Sequence, residues 1–411
     1  MQPATGATGS ASLVAALAAA VAGLTATAPA SALFNDRVEI WAAENVTHDT
    51  NVFRLSDKLD PSTVGASQRG DSIYTTHLGI TAGLPVSQQR FEAAYTWYRS
   101  NYRSFKDLDF TGHTARAAWN WSYDHRLTGV ASYTESEGLS SFSNIQARDK
   151  DLVTSRHAQL TAQWMATPRW KANAGLGAVQ AEHSSVLRRI NDIEAESAEA
   201  GLSYVTPREN LIGGSARFEH GRAPHGTTFA SNPFFGRPFE NEYDQWAVGA
   251  TTSWNLTGHS RFDGRLEWVR RNYKELTARN YDGPAFRAIY TWTPTAKLKV
   301  SAGATRDIGP AEDIQTSFVL VTGAYIRPLW AVTDKVTLQG NFEYNVWDYR
   351  GDPITGQDFT HRQRLIGASV QWKPYERVFL QAGFNREVRT STLRFGDYDV
   401  DVAFVEGRVG F

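Results

Sequence analysis

Apolar and polar residues take turns along most of this chain. From Arg261 to Trp268 the even positions are Phe262, Gly264, Leu266 and Trp268, and the odd ones are Arg261, Asp263, Arg265 and Glu267. The alternation continues through Phe286, Ala288, Tyr290 and Trp292. After the turn Thr293-Pro294-Thr295-Ala296 it resumes through Leu298, Val300, Ala302 and Ala304. A period of two predicts strands with one apolar and one polar face. Short turn signals holding Pro, Gly or Asp recur near residues 85–88, 123–126, 166–169, 206–209, 256–259, 293–296, 332–335 and 373–376, as tight turns require. Between them lie longer polar segments: Arg54–Asp71, Ser100–Asp109, Ser136–Asp151, Ala181–Asp192, Gly221–Glu242, Lys274–Asp282, Asp307–Asp313, Asp348–Asp358 and Arg389–Asp397.

Eight short turns joining nine hairpins predict 18 strands. Short turns at one end and long loops at the other is the asymmetry of a transmembrane antiparallel up-and-down β-barrel. The expected fold is therefore all-β, with strands of about 9–11 residues and both termini periplasmic. A β-propeller also repeats at roughly forty residues, but its blades hold four strands and only two fall in each period here.

Composition changes the picture in three places. Apolar residues make up 41% and mean hydropathy is −0.41, values that suit a soluble protein but also a barrel, in which only alternate residues meet lipid. Aromatics reach 12%, with 13 Trp, as interfacial girdles demand. Net charge is −1, which implies no attraction to nucleic acid. Cysteine is absent; that excludes disulfides, Cys-liganded metals and thiol catalysis, and suits an oxidising compartment.

Residues 1–32 carry no charge, and the apolar run Leu13–Leu24 is too short to span a bilayer. It ends in Ala28-Pro29-Ala30-Ser31-Ala32, whose Ala30-x-Ala32 has the form of a signal-peptidase site. Residues 1–32 are expected to be a cleaved signal peptide and 33–411 a single outer-membrane barrel domain, although no basic n-region precedes the apolar run.

Lipid sets the register. Turning Arg261 and Arg265 toward acyl chains would cost roughly 2–4 kcal/mol each near the midplane, so Phe262, Leu266 and Trp268 are expected outside. By the same parity Phe91, Ala93, Tyr95 and Trp97 face lipid. The lumen then holds Arg116, Arg217, Arg261, Asp263, Arg265, Glu267, Arg287, Lys299 and Glu343 as candidates to line a substrate path, with amides such as Gln159, Asn341 and Asn385 among them. Trp121, Trp164, Trp170, Trp254, Trp292, Trp330 and Trp372 each lie near a short turn and are expected to form the periplasmic aromatic girdle. The last strand ends in Phe411, in register with Val409, Gly407, Val405 and Ala403. A terminal Phe of this kind is the expected signal for barrel assembly.

Catalytic signatures are missing. There is no Gly-rich phosphate loop, no His-x-x-x-His pair and no Gly-x-Ser-x-Gly elbow. His48, His113, His125, His157 and His183 are dispersed and read as solvated or lumenal side chains. The expectation is a non-enzymatic protein with no catalytic residues, no metal and no cofactor.

Several segments are similar to one family. Asp49-Thr50-Asn51-Val52-Phe53-Arg54, Leu84-Pro85-Val86-Ser87-Gln88-Gln89-Arg90-Phe91, Trp119-Asn120-Trp121 and Leu139-Ser140-Ser141-Phe142 come first. Leu256 to Arg265, Tyr290 to Leu298, Gly309-Pro310-Ala311-Glu312-Asp313 and Asp348-Tyr349-Arg350-Gly351-Asp352-Pro353 follow in order. Together they resemble the EpsL-type outer-membrane barrels of exosortase B-associated exopolysaccharide loci, within the wider group of β-barrel porins. The resemblance implies a channel in the Gram-negative outer membrane exporting an extracellular polysaccharide. The implied partners are outer-membrane lipid, the exopolysaccharide, the barrel-assembly machinery and periplasmic polysaccharide-export proteins. A general diffusion porin for small solutes and a structural or adhesive surface barrel, using Gly221–Glu242 with Phe229, Phe234, Phe235 and Phe239, stand as alternatives.

Overall fold

The computed structural model of the protein describes residues 37–225, 242–275, 277–310, 318–350 and 358–411. The proposed signal peptide and the phenylalanines at 229, 234, 235 and 239 lie outside the described residues. Eighteen antiparallel strands form one sheet. They are β1 (Val38–Asp49), β2 (Asp71–Val86), β3 (Gln89–Tyr102), β4 (Phe110–Tyr123), β5 (Leu127–Leu139), β6 (Leu152–Thr167), β7 (Trp170–His183), β8 (Ile193–Val205) and β9 (Leu211–Arg222). Then follow β10 (Glu242–Thr257), β11 (Ser260–Tyr273), β12 (Tyr281–Thr295), β13 (Leu298–Pro310), β14 (Phe318–Ala331), β15 (Val336–Arg350), β16 (Phe359–Tyr375), β17 (Val378–Ser391) and β18 (Tyr398–Gly410).

Each strand pairs with its sequence neighbours, and β1 pairs with β18 from Trp41↔Gly410 to Asp49↔Val402. That last ladder closes the sheet, so no strand is left with an unpaired edge. The eight short turns join strands at the end where β1 begins and β18 finishes. Three of them hold residues with left-handed backbones, Ser87, Asp124 and Glu209, at φ of 55°, 58° and 60°, as hairpin turns matched to strand twist require.

Side chains divide by parity. Leu78, Leu176, Leu202, Leu266, Ile326 and Ile366 project outward into a belt of exposed apolar groups. In water such a surface would aggregate; around a closed barrel it matches the acyl core of a bilayer. No helix among the described residues is long and apolar enough to cross a membrane, so the strands make the crossing.

Two features depart from the sequence reading. Strands run 12 to 17 residues rather than about 9–11, because ladder hydrogen bonds continue past the bilayer into water. The segment expected to leave the wall at Ser136, for instance, stays paired to Leu139↔Leu152. In addition, β12 follows β13 only as far as Phe286↔Arg306, whereas β13 and β14 stay paired to Pro310↔Phe318. Past Arg306 the described ends of β13 and β14, around Ile308 and Leu320, lean into the barrel. Ile308 and Leu320, outward by parity, pack there on the lumen-facing Ala247, Val269 and Ala285.

Candidate functional site

The site is the lumen together with the loops that cross its mouth. All nine substrate-path candidates occupy inward positions, and the ladders bring them into three groups. On β11, Arg265 donates to Glu267 at 2.5 Å and to Glu199 of β8 at 3.2 Å, while Arg217 of β9 approaches Glu267 at 3.7 Å. Arg261 and Asp263 pair with each other at 2.9 Å, and Glu343 is held by Arg327 at 2.5 Å. Arg116, Arg287 and Lys299 have no ion-pair partner among the described residues. Every acid of the set is thus neutralised by arginine, and the charge left over is positive. Elsewhere in the lumen Glu387 is bonded by Gln363 and Tyr398, and Glu406 by Asn45, with no ion pair among the described residues, so the wall presents groups of both signs.

Aromatic rings reinforce that arrangement in a way the sequence reading missed. Inside the barrel a glycine often stands directly across the ladder from an aromatic residue, and the ring lies flat over it. Trp41 covers Gly79 and Tyr325 covers Gly303; a Cβ on either glycine would come within 2.2 and 2.5 Å of the ring. Arginines then stack on the lumen side of the rings: Arg408 at 4.2 Å from the Trp41 centroid, Arg327 at 4.4 Å from Tyr325 and Arg271 at 4.0 Å from Tyr243. Stacking of this kind fixes a guanidinium plane at little entropic cost. A ring and a glycine in register on neighbouring strands is the signal that pairing of the sequence segments could have shown.

At the long-loop end three described segments cross the mouth. Segments 50–70, 103–109 and 140–151 fold over the mouth and share a small hydrophobic core of Val52, Phe53, Leu55, Ala66, Phe105, Leu108 and Phe142, with Tyr102 beneath. Phe53 sits edge-on to Phe105 and Phe142 at centroid distances of 5.0 and 5.1 Å. Polar locks surround this core. Asn51 donates to Leu55 O at 2.8 Å and accepts from Leu55 N at 2.9 Å, and Arg188 donates to Ser141 O at 3.0 Å. Asp192, buried, accepts from His183 at 2.9 Å and from His225 at 2.8 Å; His183 is therefore a loop anchor rather than a dispersed lumenal side chain.

The β5–β6 loop reaches the other side of the mouth. Arg389 of β17 donates to Asn144 Oδ1 at 3.1 Å and to Ser143 O, and Tyr349 of β15 donates to Asn144 at 3.3 Å. Tyr349 itself stacks on Phe359 at 4.5 Å in a second apolar cluster with Val319. Asn144 is the point at which the lid meets the opposite wall.

One further tie joins two lid loops. Arg148 grips Asp107 through Nε and Nη2, at 2.8 and 2.5 Å, and these bonds hold the Asp107 carboxyl below its ordinary range. A depressed carboxylate contributes fully above the ordinary carboxylate range, and its contribution is lost as pH falls through the depressed value. Half-exposed as Asp107 is, the pair is worth only about 0.2–1 kcal/mol. Lid opening, read as single-channel conductance, should therefore be insensitive to pH near neutrality and rise slightly in strong acid. Asp107→Asn should flatten that acid response.

The seven tryptophans near the short turns all take outward parity, and Trp164, Trp170, Trp292, Trp330 and Trp372 are exposed. Trp119 and Trp121 lie side by side at 6.4 Å. Phe411 follows β18 and donates its backbone N–H to Ile40 O at 2.8 Å, which ties the end of the chain to β1.

Residues 247–411, from the middle of β10 to the end, match the family model described as "Putative beta-barrel porin 2". No curated protein matches the chain. Among solved structures, the chain is similar to the outer membrane protein OpdK from Pseudomonas aeruginosa, with 11% identity, 92% of this chain and 99% of that one covered, and a TM-score of 0.49. OccAB3 from Acinetobacter baumannii gives 8%, 92% and 99%, and 0.46. The siderophore receptor PirA from Pseudomonas aeruginosa gives 9%, 90% and 80%, and 0.42. Closure of the sheet, the outward apolar belt and the family match together describe a porin-like outer-membrane barrel.

Proposed function

We propose that this barrel is a gated outer-membrane channel through which an extracellular polysaccharide bearing acidic groups leaves the cell. The observation that carries the reading is the lumen. Arg271, Arg327 and Arg408 stack on rings inside it, and Arg116, Arg287 and Lys299 remain unpaired among the described residues. Guanidinium forks suit carboxylate-bearing sugars, and barrels of 16–18 strands are wide enough to hold an aqueous path. A mouth crossed by interlocked loops suits a dedicated conduit better than a pore open to every small solute. The resemblance of the segments from Asp49 to Pro353 to exopolysaccharide-locus barrels points the same way. Periplasmic polysaccharide-export proteins would then meet the short-turn end.

Two measurements test this. In planar bilayers the purified barrel should be blocked by the acidic polymer made by its own cell and not by a neutral dextran of similar size. Deleting the gene should abolish surface polymer while leaving small-solute uptake unchanged. Block by neither polymer, with intact surface polymer in the deletion strain, would favour the second reading, a diffusion pore for small solutes, to which the porin-model match is equally suited. Separately, exchanging Arg116, Arg287 and Lys299 together for Gln should move the reversal potential in a salt gradient toward cation preference.

A further inference from the structure

On the outer wall two exposed arginines stand side by side on one strand. Arg362 and Arg364 of β16 share the outward parity of Ile366, Val370 and Trp372, and both are exposed. Across the ladders Arg362 faces Val346 and Thr390, and Arg364 faces Tyr344 and Val388. Neither has a partner among the described residues. Three other outward arginines are paired with acids: Arg156 with Glu135 and Glu182 at 2.9 Å each, Arg222 with Glu194 at 2.6 Å and Arg386 with Asp399 and Asp401 at 3.2 and 3.0 Å.

Depth explains why two bare cations are tolerated on this face. Trp372 lies at the short-turn interface, and Arg364 is eight residues further along the same strand. At roughly 3.3 Å per residue and a tilt near 40°, that is a rise of about 20 Å, and Arg362 stands at about 25 Å. The apolar band of such barrels is about 25 Å tall, and an outward Arg costs only about 0–1 kcal/mol near its edges. Arg362 therefore stands at the upper edge of the band and Arg364 about 5 Å lower, within reach of the headgroups through its long stem; the two are roughly 7 Å apart along the strand, with Tyr344 across the ladder from Arg364 and Phe342 and Ile366 below to receive acyl chains. Two adjacent guanidinium groups repel each other unless an anion lies between them, and the fork geometry matches phosphate oxygens.

We propose that Arg362 and Arg364 bind the phosphate of a phosphorylated glycolipid headgroup in the outer leaflet, and so hold one lipid in fixed register beside β15–β17. The inference is independent of the cargo. Its test is native mass spectrometry of the full barrel released from nanodiscs containing diphosphorylated lipid A or its dephosphorylated form. Wild-type barrel should retain the phosphorylated lipid several-fold better than the dephosphorylated one, a comparison that needs no variant. The Arg362→Gln/Arg364→Gln barrel should lose that preference, whereas Arg156→Gln, whose side chain is already paired, should keep it. Excess inorganic phosphate should not displace the lipid. Equal retention of the two lipids by wild-type barrel would overturn the proposal. So would full displacement by inorganic phosphate, or a double variant that changes the oligomer mass while lipid retention stays the same.

Discussion

Arg389→Ala should convert a barrel that passes little current into one with a steady conductance several-fold larger. Arg389 is 2% exposed and holds three elements at once. It donates to Gly396 O at 2.8 Å, to Asn144 Oδ1 at 3.1 Å and to Ser143 O, and it stacks on the Tyr398 ring at 4.4 Å. Hydrogen bonds to a charged donor contribute about 1.5–3 kcal/mol each. Losing two of them at the far contact of the β5–β6 loop removes most of what ties the lid to the opposite wall. The wall itself should survive, since the β16–β17 and β17–β18 ladders are backbone bonds that do not involve this side chain. Phe53→Ala attacks the same closure from the other side, at about 3–5 kcal/mol for a fully buried aromatic. Its effect should couple to that of Arg389→Ala, because Phe53 packs on Phe142 and Arg389 holds Ser143 and Asn144 of the same loop. An Arg389→Ala barrel with unchanged single-channel conductance would mean that the closure is held by the Phe53 core alone.

Strand number, strand order and the closed all-β architecture were legible in the sequence, and the reason is physical. Lipid enforces a period of two on every segment, and tight turns restrict composition where strands reverse. Depth was not legible. Parity places Arg362, Arg364, His113 and Glu135 on the outer face, but only their distance along the strand from the short-turn tryptophans shows that they lie toward the far edge of the apolar band. Strand length escaped for the same reason, since hairpins that rise above the membrane carry polar residues on both faces and read as loops.

The lid was hidden by separation in the chain. Asn144 and Arg389 are 245 residues apart, and nothing local in either segment names the other. A faint signal did exist: Phe53, Phe105 and Phe142 each sit in or beside an otherwise polar long segment, and aromatics so placed require burial somewhere. The inward lean of the described ends of β13 and β14 was equally nonlocal, because Ile308 and Leu320 continue the outward parity and differ from lipid-facing residues only in what they meet.

Leu266 and Glu267 provide the sharpest test of the wall, for neighbouring positions should fail for opposite reasons. Leu266 is 59% exposed, lies mid-strand on β11 and faces Ala250 and Phe286 on the outer surface. Leu266→Arg should cost about 2–4 kcal/mol, the penalty for a cation at the bilayer midplane. Glu267, one residue on, points into the lumen between Arg265 and Arg217. Glu267→Leu places a side chain of the kind tolerated next door, yet it leaves Arg217 without its acid and Arg265 with Glu199 alone. Breaking a buried pair costs about 3–5 kcal/mol; with both arginines partly solvated, the lower end applies. Leu266→Ile and Glu267→Gln should each stay within about 1.5 kcal/mol. Urea unfolding of the barrel in phospholipid vesicles measures all four. A wall that accepted arginine at 266 as readily as leucine would have water on both faces, and the apolar belt would then have to be covered by protein instead of lipid.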